Sequence, residues 1–213
     1  MHEAPSNEPR PSQQGRAAIL KRLLDIAGSA TALTLLLPVF VLCAVAVKTS
    51  SRGSVFFRQM RVGQDGKQFP CFKFRTMHPG AHAHLEDLRG SNIQDGPAFK
   101  IRRDPRITRV GCILRKFSLD ELPQFLNVLL GHMSIVGPRP AIPAEVAKYT
   151  HWQSRRISVK PGITCIWQIY GRNRVSFDRW VAMDLYYIDN WSLLLDLQLI
   201  VRTVGAVVRG NGM

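Results

Sequence analysis

One stretch dominates the hydropathy pattern of the chain: an apolar, uncharged segment close to its N-terminus. Lys21 and Arg22 precede the segment, and no charged residue occurs from Ile26 to Val47. Such a run would form a helix about 33 Å long, enough to cross a hydrocarbon core of about 30 Å. Pro38 lies within it and predicts a kink or break, because proline removes a helical hydrogen bond and clashes with the preceding turn. The pattern favours a membrane helix over a buried core helix.

The charges beside the segment bear on whether it spans the membrane or turns back. Both flanks are basic, with Arg16, Lys21 and Arg22 before it and Lys48, Arg52, Arg58 and Arg61 after it. Because basic residues favour the cytoplasmic side, both ends are expected there, and residues 19–50 are predicted to form a re-entrant helix-break-helix. A kinked spanning helix is the alternative. A cleaved signal peptide is disfavoured, since the run exceeds the about 7–15 residues of a signal core.

The rest of the pattern predicts a polar leader and a mixed domain. Residues 1–18 are rich in Pro, Ser, Gln, Glu and Asn and are predicted to be disordered. Asp65-Gly66 between apolar runs predicts a small β-hairpin at the start of a domain formed by residues 51–213. Helical patterns follow at Leu122–Leu130 and at Ala144–Ser158. The domain and the membrane segment are expected to act as one functional unit.

The C-terminal run from Asp178 to Arg209 combines an apolar face with aromatic residues and a basic end. That composition is typical of an amphipathic helix lying in the membrane interface. An ordinary core-facing helix is the alternative. The expected fold class is therefore α+β and mainly helical, with a re-entrant N-terminal membrane segment, a small β-hairpin and interfacial amphipathic helices.

Charge narrows the range of partners. The chain carries 29 Lys and Arg against 15 Asp and Glu, a formal net charge of +14. This favours an anionic partner: nucleic acid, an acidic membrane surface or a phosphorylated substrate. Nucleic-acid binding, suggested by the basic run Arg102–Arg109, does not account for the uncharged segment, and no nucleic-acid-binding motif is recognised. Four widely spaced cysteines without a C-x-x-C pair favour a reducing, cytosol-facing compartment.

Two adjacent carboxylates, Asp120 and Glu121, lie among basic and apolar neighbours. Ser118 and Glu121 have the spacing of a capping box, in which both side chains would bond the first amides of a helix. The functional alternative starts from the same position, because a helix N-terminus favours bound phosphate. Arg115, Lys116 and Arg139 could add charge-assisted contacts to the phosphate oxygens. One carboxylate could hold Mg²⁺ shared with a diphosphate while its neighbour attacks phosphorus.

Five motifs, taken in order, resemble the bacterial sugar transferase family. They are Lys73–Met77, Phe117–Gln124, Gly137–Pro140, Lys160–Thr164 and Gly171–Asn173. The family comprises monotopic phosphoglycosyl transferases that begin exopolysaccharide, capsule, O-antigen or glycoprotein glycan synthesis. The match extends over about residues 19–210 and is far more specific than any one motif.

The resemblance implies a two-step reaction. Asp120 matches the family nucleophile, which would attack the β-phosphate of a UDP-sugar and release UMP. Undecaprenyl phosphate would then take the phosphosugar from the enzyme. Glu121 matches the ligand of Mg²⁺, and Arg115 and Arg139 match the phosphate-binding arginines. The family fold also implies a re-entrant membrane helix broken at a proline, here Pro38.

The resemblance further places Arg172 and Asn173 in a loop on the nucleotide side, and Lys73 and Arg75 in a signature near the site. It implies a protein of the bacterial inner membrane whose catalytic domain faces the cytoplasm and meets UDP-sugar, undecaprenyl phosphate and membrane lipid, and not nucleic acid.

The identity of the sugar is less determined. The region around Asp184–Tyr187 resembles members that use UDP-glucose or UDP-galactose, whereas the Gly171–Asn173 motif also occurs in members that use modified N-acetyl sugars. A hexose is the favoured expectation. Two other classes are kept as alternatives, a membrane-anchored scaffold without activity and a basic nucleic-acid-binding protein.

Overall fold

The structure is a computed structural model that describes residues 15–81, 88, 90, 92, 95–98, 101, 104–171 and 175–210. Three groups of predictions lie wholly or partly outside the described residues: the leader up to residue 14, the basic residues Arg102 and Arg103, and the nucleotide-side residues Arg172 and Asn173. These stay predictions.

The apolar N-terminal segment forms two helices, α1 (Arg16–Leu35) and α2 (Leu37–Ser50), bent by 63° where they meet. Pro38 lies in the first turn of α2, where a missing backbone N–H costs nothing because that group has no helical partner. Proline therefore begins a new helix here, which is the break that the sequence predicts. No described helix is long and apolar enough by itself to cross a membrane, although the bent pair has the length and composition to do so together.

Polar side chains fasten α1 to the rest of the domain. Asp25 is buried and accepts hydrogen bonds from Ser134 Oγ and Ile135 N, each 3.0 Å long. Lys21 Nζ lies 2.7 Å from Asp196 Oδ2 near the C-terminus. Lys21 thus has a structural partner besides any role in membrane topology, and one side of α1 packs on protein.

The predicted hairpin is confirmed as two antiparallel strands, β1 (Phe56–Val62) and β2 (Gln68–Phe74). Asp65 in the turn has a φ of 55°, in the left-handed region that aspartate tolerates better than most residues. At the open end of the hairpin, the Phe74 ring centroid lies 4.7 Å from that of Phe40 in α2. The hairpin is therefore tied at its base to the helix pair.

The remaining elements of the described chain alternate short helices with a second small sheet. They are α3 (Arg109–Lys116), α4 (Gln124–Leu129), β3 (Ser134–Val136), α5 (Pro143–Val146), α6 (His151–Ser154), β4 (Gly162–Thr164), α7 (Phe177–Asp189) and α8 (Leu193–Val208). Strands β3 and β4 are parallel. The α+β, mainly helical class is confirmed.

Two helices expected from the sequence are divided. The pattern over Ala144–Ser158 predicts one helix, but the structure has α5, α6 and a 3₁₀ turn there. The chain is divided because a new helix begins after Thr150, whose amide donates to Gln153 Oε1 at 2.9 Å. The C-terminal run is also two helices, since the Ser192 hydroxyl accepts from Leu195 N and caps a second start.

Among the described residues, the buried core consists of four clusters, two of which include residues of α7 and two of which include residues of the hairpin strand β2. Trp167 and Trp180 stack with their ring centroids 4.1 Å apart, and both are buried. The outer face of α8 is different: Leu194, Leu197, Val201, Val204 and Val208 are exposed. Such a face suits a helix in the membrane interface, which stays a prediction.

Candidate active site

Asp120 and Glu121 lie in a 3₁₀ turn, Leu119–Glu121, between α3 and α4. The expected capping box is wrong. Ser118 has a left-handed backbone with a φ of 53°, and its hydroxyl makes no capping hydrogen bond. Its amide instead bonds the Arg115 carbonyl at 3.1 Å, so Ser118 ends α3 and does not start α4. The Glu121 side chain is thereby left for contacts outside its own turn.

Glu121 is held from two directions. Lys73, near the end of β2, donates from Nζ to Glu121 Oε1 at 2.6 Å. Gln168 donates from Nε2 to Oε2 at 3.4 Å, and it comes from a π-helix over Trp167–Gly171. Insertions of this kind are frequent at functional sites. Residues far apart in the chain therefore converge on one carboxylate.

The two neighbouring carboxyl groups have opposite pKa shifts. Burial raises the pKa of Asp120, the charge of Glu121 raises it further, and Lys73 and Arg115 oppose the rise without cancelling it. Burial also tends to raise the pKa of Glu121, but the charge and hydrogen bond of Lys73, helped by Arg139, outweigh it and hold that pKa below its usual value. Titratable neighbours driven apart in this way are typical of groups with different catalytic roles.

Two arginines complete the cationic side of the site. Arg115 lies in the last turn of α3 and donates from Nε to Thr76 Oγ1 at 3.0 Å. The Arg139 guanidinium lies 5.6 Å from the centroid of the Trp180 ring. Together with Lys73 they place positive charge around Asp120 and Glu121, the carboxylate dyad, as binding of a diphosphate requires.

Five of the predicted site residues are therefore brought together: Lys73, Arg115, Asp120, Glu121 and Arg139. Others lie elsewhere. Arg75 donates to the backbone carbonyls of Ser51, at 2.9 Å, and Arg52, at 2.5 Å, and so links the hairpin to the end of α2. Pro38 lies in the first turn of α2, at the bend between α1 and α2.

The residues present fit a Mg²⁺ ion that is held by one carboxylate together with water and substrate phosphates. No group of three or more His, Cys, Asp or Glu suited to a metal occurs among the described residues. Magnesium in phosphate chemistry is usually held by one or two carboxylates, water and the substrate phosphates. The pKa of Glu121 is held below its usual value, which favours the carboxylate, and its side chain is 20% exposed, so it fits a site of that type.

Sequence reasoning missed two buried amides that support the site. Asn127 is fully buried, accepts from Phe72 N at 2.9 Å and donates to Pro70 O at 2.7 Å, which fixes α4 against β2. Gln124 is also buried and its hydrogen bond helps to lower the pKa of Glu121. The available signal was a polar residue within an apolar helical run, since a buried amide must find partners.

Comparison with known proteins identifies the family of the chain. The family described as bacterial sugar transferase matches residues 16–210. The chain is 43% identical over 198 residues to the exopolysaccharide production protein ExoY of Sinorhizobium fredii, covering 91% of this chain and 88% of that protein.

Two longer relatives have names that state a reaction. The undecaprenyl-phosphate galactose phosphotransferase of Salmonella typhimurium is 40% identical over 197 residues, 91% of this chain and 41% of that protein. The UDP-glucose:undecaprenyl-phosphate glucose-1-phosphate transferase of Klebsiella pneumoniae is 42% identical over 194 residues, 87% of this chain and 39% of that protein. The chain spans less than half of either. From the family match over nearly its whole length, this chain belongs to the bacterial sugar transferase family.

Proposed function

We propose that this chain transfers a sugar-1-phosphate, most simply that of a hexose, from a UDP-sugar to undecaprenyl phosphate, through a phosphosugar held covalently on Asp120. The observation that carries the proposal is the adjacent pair Asp120 and Glu121, with opposite pKa shifts, among Lys73, Arg115 and Arg139. The names of the two longer relatives, which combine undecaprenyl phosphate with galactose in one case and with UDP-glucose in the other, support the proposed substrate class.

In the first step, a carboxylate oxygen of Asp120 forms a bond to the β-phosphorus of the UDP-sugar. The bond from that phosphorus to the bridging oxygen breaks, and UMP leaves with the electron pair. Asp120 is only 7% exposed, so few water molecules stabilise its charge and the carboxylate is more reactive than a solvated one. Arg115 and Arg139 are placed to stabilise the charge that develops on the phosphate oxygens.

In the second step, a phosphate oxygen of undecaprenyl phosphate attacks the same phosphorus, and Asp120 departs as a carboxylate. The product is the polyprenyl diphosphate sugar, and the enzyme returns to its starting state. Both steps replace one oxygen on phosphorus by another, so the same cationic surroundings serve both.

Glu121 takes the part of metal ligand. The carboxylate of Glu121 and the oxygens of the substrate are suited to hold a Mg²⁺ ion. Such an ion would neutralise part of the diphosphate charge. Lys73 and Gln168 fix the orientation of that carboxylate. Because Lys73 also lowers the pKa of Asp120, one ammonium group favours the charged state of both carboxyl groups.

The placement of the dyad suits a reaction at the membrane surface. Leu119 and Leu122 flank the two carboxylates and pack with the cluster that contains Cys43 and Val47 of α2. A soluble nucleotide sugar and a lipid phosphate can meet only where water and membrane adjoin. We propose that the bent helix pair enters the inner membrane from the cytoplasmic side and that the domain after it faces the cytoplasm.

The deciding experiment measures UMP released from a panel of UDP-sugars by the detergent-solubilised full chain with Mg²⁺. Without undecaprenyl phosphate, we expect a burst of UMP of about one per enzyme, because Asp120 retains the phosphosugar. Asp120→Asn should give no burst, whereas Asp65→Asn in the exposed hairpin turn should behave as wild type. Release of UMP only when undecaprenyl phosphate is present would exclude the covalent intermediate.

A further inference from the structure

A groove outside the candidate active site lies between α7, α8 and the π-helix, with a volume of about 450 Å³. The volume is within the range of about 300–1,000 Å³ that is usual for small-molecule sites. Its lining includes the buried Leu199 and the partly buried Ile166, while Arg179 and Arg202 on the lining are exposed. An apolar interior and two exposed guanidinium groups are thus combined in one concave surface.

The groove has a single sign of charge among its described lining residues, which include Arg179 and Arg202 and no carboxylate. The guanidinium of Arg202 lies 5.2 Å from the centroid of the Tyr170 ring, a cation–π contact that orders the side chain at the groove. Two arginines without an acidic neighbour in the lining favour an anion, and guanidinium groups bind phosphate oxygens particularly well.

The groove continues into an apolar surface. Along α8, the exposed residues Leu194, Leu197, Val201, Val204 and Val208 follow helical spacing and lie on one face. Gln198 and Arg202 are on the adjacent side of the same helix, within the groove. An occupant that satisfies both regions has an anionic head and a long apolar body.

We infer that this groove binds an anionic phospholipid of the surrounding membrane, with its phosphate at Arg179 and Arg202 and its acyl chains along the exposed face of α8. None of Lys73, Arg115, Asp120, Glu121 and Arg139 lines the groove, which favours an occupant other than a reacting substrate. The inference therefore stands apart from the chemistry proposed for the dyad.

The test compares two short-chain lipids that differ in head-group charge. Dioctanoyl phosphatidylglycerol and dioctanoyl phosphatidylcholine are titrated into the detergent-solubilised full chain, and each affinity is taken from the rise in the thermal unfolding midpoint. We expect the anionic lipid to bind at least about tenfold more tightly, equivalent to about 1.4 kcal/mol. In the double variant Arg179→Gln/Arg202→Gln, this preference should fall to within about twofold.

Two further variants separate the groove from general electrostatic attraction. Arg58→Gln/Lys67→Gln removes the same charge from exposed positions on the hairpin and should leave the preference intact. Ala182→Trp fills the groove without changing the charge, and it should weaken both lipids by about tenfold. Ala182 is exposed, so the larger side chain need not disturb the core. Without lipid, all variants should unfold within about 4 °C of the wild-type midpoint, since the contact of Arg202 with Tyr170 is exposed and its loss costs little.

Asp120→Asn should bind phosphatidylglycerol as wild type does, which makes a failure here distinguishable from a failure of the proposed reaction. Equal affinity for the two lipids would overturn the inference, as would an equal loss of preference in the hairpin control. Displacement of phosphatidylglycerol by an equimolar amount of undecaprenyl phosphate or UDP-sugar would also overturn it, because the groove would then belong to the substrate site.

Discussion

The ammonium nitrogen of Lys73 lies 2.6 Å from Oε1 of Glu121, which joins the hairpin to the pair Asp120 and Glu121 across 48 positions of the chain. The contact is charge-assisted and largely shielded from water, since the Lys73 side chain is 23% exposed and that of Glu121 20%. It is the one direct ion pair of the dyad within the described residues. Glu121 therefore depends on the hairpin for both its charge state and its orientation.

Replacing Lys73 by Met should reduce the rate of UMP release by about 10²- to 10³-fold, the loss typical of one preorganised electrostatic partner. Without the ammonium group, the pKa of Glu121 rises and its carboxylate is no longer fixed. UMP release at saturating UDP-sugar measures the effect. Lys67→Met, at an exposed position in the turn of the same hairpin, is the matched control and should stay within about twofold of wild type. Similar losses in both variants would show that the hairpin needs charge in general.

The pH dependence of the reaction should reflect Asp120. Its pKa is raised by burial, and only the deprotonated carboxylate attacks phosphorus, so the rate should increase as pH rises through that raised value. The acid limb of kcat/KM should therefore lie above the usual aspartate pKa of about 3.9. Glu121 stays ionised over the same range because its pKa is lowered.

In Lys73→Met the acid limb should move to still higher pH, because Lys73 lowers the pKa of Asp120 in the wild type. The apparent value belongs to the coupled pair and not to one carboxyl group. Profiles of kcat/KM for wild type and for the residual activity of the variant provide the comparison. A limb that stays in place, or moves to lower pH, would contradict this assignment of the cations.

Gln168 should act on metal affinity more than on the chemical step. Its Nε2 is 3.4 Å from Glu121 Oε2, and groups that orient a metal ligand typically change metal affinity by about 10- to 100-fold. In Gln168→Met we expect the Mg²⁺ concentration for half-maximal activity to rise by about tenfold, with kcat at saturating Mg²⁺ little changed. An unchanged Mg²⁺ requirement with a lower kcat would indicate a purely structural role for Gln168.

The elements that the sequence predicts well are those governed by neighbouring residues. The break near Pro38 follows from the geometry of one proline, and the hairpin follows from Asp65-Gly66 between apolar runs. The end of α4 is also determined locally, because Gly131 readily adopts the left-handed backbone, with a φ of 84°, that follows the helix. In each case the energy that decides the structure lies within a few residues.

The elements that it predicts poorly depend on distant contacts. Ser118 and Glu121 have the spacing of a capping box, but the backbone at Ser118 is left-handed and Glu121 binds Lys73 instead. Arg75 belongs to the same motif as Lys73 yet bonds the carbonyls after α2. Asn127 joins α4 to β2 through two hydrogen bonds that no local pattern implies.

Arg22 provides the last prediction, because the sequence assigns it to membrane topology and the structure gives it a specific contact. Its NH1 and NH2 donate to the carbonyls of Val128 and Leu129, at 2.5 and 2.8 Å. Both carbonyls lie in the last turn of α4, where Val128 O also accepts from Gly131 N at 2.9 Å, and a cation is favoured there by the helix dipole.

Arg22→Met should therefore lower the free energy of unfolding by about 1.5–3 kcal/mol, the range for a hydrogen bond to a charged group. Denaturant unfolding of the detergent-solubilised chain provides the measurement. Arg16→Met removes an equal charge from an exposed position of the same helix. This substitution should change the free energy of unfolding by less than about 0.5 kcal/mol. Because Arg22 contacts the C-terminal end of α4 and the dyad precedes its N-terminal end, UMP release by Arg22→Met should fall only as far as its folded population falls. Equal destabilisation by the two substitutions would mean that both arginines act through charge at the membrane surface, and that the contact with α4 adds little.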